Sequence, residues 1–139
     1  MFGIVDADLL DNGTRHPNLV LLKLAGYFKE NNLPYKFVFR AEDINDPTQF
    51  EYVYTSKVFT FTKEPDFLAF IDPLRVKKGG TGYYAEEDNL TRFNQLRDAD
   101  MHSLENDPNL PGFNMATQMP DYDLYNEYID QSISKGKNP

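Results

Sequence analysis

Four short apolar runs, each followed by polar or glycine-rich residues, set the frame of the chain. Phe2 to Val5 is apolar throughout and stops at Asp6, the pattern of a strand covered on both faces in a parallel sheet. Tyr35 to Phe39 and Glu51 to Thr55 carry the aromatic and β-branched residues of a second and a third strand. Leu74 to Lys77 predicts a fourth, short strand that runs into Gly79-Gly80-Thr81-Gly82. After the first run comes a stretch rich in Asp, Asn, Gly and Thr, Asp6 to His16, which reads as a loop. Leu21, Leu24, Ala25 and Phe28 then recur at helical spacing, with Pro17 suited to the first helical position and Asn31, Asn32 and Pro34 ending the helix.

The remainder is less regular. Glu42 to Asp46 with Pro47 reads as a loop or a short helix, and Pro65 to Phe70 as a short helix. Leu90, Phe93 and Leu96 give helical spacing within Glu86 to Leu104, and the Pro-, Gly- and Asn-rich stretch Asp107 to Met119 reads as an irregular connection. Asp123 to Ser134 reads as a closing helix or a tail. Strands alternating with helices favour parallel pairing, so the expected fold is α/β: a flavodoxin-like or Rossmann-like three-layer domain with a mostly parallel sheet of four or five strands. It spans residues 1–125, irregular from about residue 83, with residues 126–139 as a linker or closing helix.

Composition narrows the chemistry. A chain of 139 residues with 40% hydrophobic and 14% aromatic side chains has material for one core. Its net charge of -8 repels phosphate backbones and anionic lipid heads, so neither nucleic acid nor membrane is an expected partner. No apolar run is long enough to span a bilayer and the start lacks a signal peptide's basic flank, so the chain reads as cytoplasmic. With no cysteine, it has no disulfide, thiolate nucleophile or cysteine ligand for zinc or iron. His16 and His102 stand in segments of different character, and no metal site is assigned to them.

Ligands of open parallel sheets bind beyond the carboxyl ends of the strands. Three segments fall there: Asp6 to His16, Ser56 to Thr62, and Gly79 to Gly82. Asp6 and Asp8 have a spacing that can hold Mg²⁺, or they cap the loop and the next helix through backbone N–H groups. Thr14 and His16 precede a helix start, where side-chain caps or an anion meet free N–H donors. Ser56 and Lys57 offer a hydroxyl and a cation, and Gly79, Gly80, Thr81 and Gly82 let a ligand approach the backbone or simply form a tight turn. Phe59, Phe61, Phe67 and Phe70 read as core. The candidate cofactor-facing residues are therefore Asp6, Asp8, His16, Ser56, Lys57, Gly79, Gly80, Thr81 and Gly82, with no catalytic residue assigned.

Several strings together carry a resemblance. Val5-Asp6-Ala7-Asp8, His16-Pro17-Asn18-Leu19, Ser56-Lys57-Val58-Phe59-Thr60, Gly79-Gly80-Thr81-Gly82 and Met119-Pro120-Asp121-Tyr122-Asp123-Leu124-Tyr125 are similar to the amino-terminal region of a group of bacterial radical S-adenosylmethionine proteins. There a cobalamin-binding-like, Rossmann-like domain precedes the catalytic barrel. The resemblance implies an accessory domain that packs on the barrel of the same polypeptide and helps shape a cofactor or substrate cleft. It also implies a three-cysteine motif for a [4Fe–4S] cluster, with S-adenosylmethionine, in a domain beyond Pro139. The cobalamin-binding version uses Asp-x-His-x-x-Gly, Ser-x-Leu and Gly-Gly. Ser56-Lys57-Val58 and Gly79-Gly80 resemble the last two, but Asp8 stands where the cobalt-ligating His would be and His16 lies further along.

A rival reading starts from Ile4-Val5-Asp6-Ala7-Asp8, which also resembles the first motif of haloacid-dehalogenase-type phosphatases. Asp6 would be the nucleophile and Asp8 the acid/base. Thr55 or Ser56, Lys57 or Lys77, and Asp98 and Asp100 would complete a Mg²⁺-dependent site. A free-standing module that binds a small-molecule ligand is a third reading.

Overall fold

The computed structural model describes residues 1–13, 18–57, 62–79, 104–105 and 107–134. Four strands, β1 (Phe2–Asp6), β2 (Tyr35–Phe37), β3 (Tyr52–Ser56) and β4 (Val76–Gly79), form one sheet in the order β2-β1-β3-β4. Every pairing is parallel, with Phe2 opposite both Tyr35 and Tyr52, and Val53 opposite Val76. This is the Rossmann-like or flavodoxin-like topology expected from the alternating pattern. β2 and β4 are offset from the apolar runs that announced them: β2 stops at Phe37, and β4 starts at Val76 because Pro73–Arg75 closes into a single 3₁₀ turn capped by Asp72.

The segment after β1 is not all loop. Ala7–Asn12 forms a short helix, α1, because the Asp6 side chain accepts the Leu9 N–H and Gly13, at φ 66°, ends it in a left-handed conformation. Leu9 and Leu10 turn to opposite faces of the sheet, each against a different part of the core. The next helix, α2, runs from Leu19 to Glu30. It starts later than a Pro17 start would place it because Asn18 is the N-cap, its side chain taking the Leu21 N–H; Pro17 itself lies outside the described residues, as do the helical spacing of Glu86 to His102 and the residues Phe59 and Phe61.

Alternation along the strands divides the core in two. Phe2, Ile4 and Tyr54 face α2, where they pack with Leu21, Leu24, Phe28 and Phe113; Phe2 and Phe28 stack with ring centroids 4.6 Å apart. Val5 and Val53 face the other way, toward Phe50, Ile44, Phe67 and Leu68. That second face is covered by the connections after β2 and β3, which fold as 3₁₀ turns at Ala41–Ile44, Pro47–Gln49 and Asp66–Phe70. Phe67 joins the core as expected, while Phe70 is exposed.

The stretch from Asp107 to Tyr125 is irregular yet an integral part of the α2 face, where Leu110, Phe113, Leu124 and Tyr125 are buried. It passes so close to α2 that a Cβ on Gly26 would overlap the Met119 carbonyl oxygen. One backbone bond fixes the approach, from Asp121 N–H to Leu22 O at 2.8 Å. Asn126–Ser134 then forms a last helix, α3, beside β2: Tyr128 meets Phe39 edge to face and Arg40 reaches Gln131 and Glu127. Among the described residues no helix is long and apolar enough to cross a membrane.

Candidate functional site

β1, β3 and β4 finish level. Asp6 lies opposite Ser56, and Ser56 opposite Gly79, so the three strand ends make one rim. The ladder continues one step further, with Lys57 N–H donating to Gly79 O at 3.1 Å. Of the residues singled out from the sequence, Asp6, Asp8, Ser56, Lys57 and Gly79 are at or next to this rim. His16, Gly80, Thr81 and Gly82 lie outside the described residues, and so do Thr14, Asp98 and Asp100.

Asp6 is the centre of a buried polar chain. Only 2% of it is exposed, and both carboxylate oxygens are engaged: Oδ1 accepts the Leu9 N–H at 3.1 Å and Oδ2 the Tyr125 hydroxyl at 2.8 Å. The same hydroxyl accepts the Asn18 N–H at 3.1 Å. Asn18 caps α2 with its Oδ1 and donates from Nδ2 to Ser56 Oγ at 2.8 Å. The chain thus runs from α1 through Asp6, Tyr125 and Asn18 to Ser56, across the join between β1 and β3. Loss of hydration pushes the Asp6 carboxyl above its ordinary value, the neighbouring charge of Asp8 adding to the rise and the Tyr125 hydroxyl and the backbone N–H groups of Leu9 and Asp8 opposing it. Burial likewise raises the Tyr125 phenol, so it stays a donor.

Asp8 and Lys57 are also buried. The Thr62 hydroxyl donates to Asp8 Oδ1 at 2.6 Å, and Lys63 N–H donates to Asp11 Oδ2 at 2.9 Å, so both acids tie α1 to the segment that follows β3. A buried carboxylate held by a threonine hydroxyl does not fit the part of an axial cobalt ligand, so the residues present do not match histidine-ligated cobalamin. A [4Fe–4S] cluster has no cysteine to hold it in this sequence. Among the described residues no group of three His, Asp or Glu side chains is placed to hold a metal ion.

Lys77, a candidate phosphate partner in the phosphatase reading, has another role. Its Nζ pairs with Asp107 Oδ2 at 2.7 Å and lies 4.6 Å from the centre of the Tyr52 ring. Asp107 also receives the Tyr54 hydroxyl at 2.9 Å. Burial works to raise the Asp107 carboxyl, but the bonds from Lys77, the Asn109 N–H and Tyr54 outweigh it and hold it below its ordinary value. This pair fastens the irregular stretch to the sheet and is not part of the rim.

Sequence reasoning missed Asn18 and Tyr125 as members of the site, while Thr62 closes the segment Ser56 to Thr62 that it placed there. Asn18 carried a readable signal, an Asn directly before a helical apolar spacing. Tyr125 carried none at the level of local pattern, since its partner Asp6 is 119 residues away. No family model, curated protein or solved structure matches the chain.

Proposed function

We propose that this chain is the amino-terminal accessory domain of a radical S-adenosylmethionine iron–sulfur enzyme, not catalytic by itself, whose strand-end rim faces the cofactor or substrate cleft of the barrel that follows it. The resemblance of Ser56-Lys57-Val58-Phe59-Thr60 and Gly79-Gly80-Thr81-Gly82 to that group is the starting point. The observation that carries the reading further is the level rim: Asp6, Ser56 and Gly79 stand in register, so the first residues of the two resembling strings, Ser56 and Gly79, end β3 and β4 side by side. Neighbouring parallel strands are about 4.8 Å apart, so the two strings start within reach of one ligand or one partner surface.

The state of Asp6 supports the same reading over the phosphatase. A phosphoryl acceptor needs an oxygen open for in-line attack, whereas both Asp6 oxygens are occupied within the fold. Asp6 acts as the N-cap of α1 and the anchor of Tyr125. No step is routed through cobalamin, since the buried Asp8 does not fit as its ligand.

Two measurements test the proposal. The reading frame that contains this chain is sequenced past the Pro139 codon; three closely spaced cysteines are expected, and a stop codon there overturns the reading in favour of a free-standing binding module. The purified 139-residue chain is also assayed with Mg²⁺ and para-nitrophenyl phosphate, where it should be inert. Turnover abolished by Asp6→Asn would overturn the accessory role and establish the phosphatase.

A further inference from the structure

We draw no further inference here: the strongest candidate, the surface patch of exposed Leu19, Val20, Met119 and Tyr122 where the stretch from Asp107 to Tyr125 runs along α2, carries nothing because nothing in the structure shows what covers it.

Discussion

The two faces of the sheet are covered by different means. On the face of Val5 and Val53 the covering turns satisfy much of their own backbone, as in Leu68 N–H to Pro65 O and Ile71 N–H to Leu68 O, and present Phe50, Ile44 and Phe67 to the core. On the α2 face half the cover is an irregular strap, and hydroxyls or ammonium groups of the core reach out to it: Tyr27 to Pro111 O, Tyr35 to Asp121, Tyr54 to Asp107, Lys23 to Met115 O. The strap also turns on itself, as in Leu110 N–H to Asp107 O and Phe113 N–H to Leu110 O. The difference lies in the added side-chain ties: two end on strap carbonyls that its own turns leave open and two on the carboxylates of Asp107 and Asp121. Tyrosine suits that task because its ring packs in the core and its hydroxyl reaches the edge.

The largest expected effect should fall on the face of Val5 and Val53. Phe50→Ala removes a fully buried ring and should cost about 3–5 kcal/mol in urea unfolding while leaving the strap in place. Next is Gly26→Ala, a single methyl aimed at the Met119 carbonyl. It should cost about 3 kcal/mol and shift the chemical environment of the strap in amide spectra, because a backbone must move to admit it. Full stability in that variant would mean that the strap does not press on α2 as described.

Smaller, and specific to the tied face, is Tyr54→Phe. It keeps the ring against Phe2 and Phe28 but takes one donor from Asp107, and should cost about 2 kcal/mol. The smallest effect separates two kinds of buried acid by pH. Asp43 is raised by burial but lowered more by the Phe39 N–H, Lys36 and Arg40, and Asp107 is likewise lowered on balance. A carboxyl whose folded value lies below its unfolded one stabilises the fold above the ordinary value of 3.8, and that contribution is lost as pH falls through the folded value. Asp6 has the opposite sign: its raised folded value favours the fold below 3.8, and that contribution fades as pH rises through the folded value. Urea midpoints measured across the acid range should therefore fall less steeply at low pH in Asp107→Asn than in the parent chain. In Asp6→Asn the decline on the rising side should be absent.

Local pattern made the sheet legible. The run Phe2 to Val5 found β1 because a strand covered on both faces must be apolar on both, aromatic and β-branched content found β2 and β3, the edge strand β4 was found two residues off its start at Val76, and Leu21, Leu24 and Phe28 found α2 by spacing alone. Helix α1 was hidden by its Asp, Asn and Gly content, which reads as loop although here those residues are its two caps and the helix end between them. The strap from Asp107 to Tyr125 was hidden for a different reason. Its ties are single side chains scattered over the chain, such as Tyr54 and Lys77 on Asp107, and no periodicity connects them. Of the rim, the strand ends Asp6, Ser56 and Gly79 could be read from the sequence, while the bridge through Asn18 and Tyr125 could not, since it exists only once distant segments meet.

The bond between Tyr125 and Asp6 also sets an order of events during synthesis. The carboxylate is made 119 residues before its partner. β1, α2 and β2 form a local unit that can pair early, since closing a short loop costs less entropy than closing a long one. Until Tyr125 arrives, water serves the second oxygen of Asp6, and the rim is complete only when nearly the whole domain has been made.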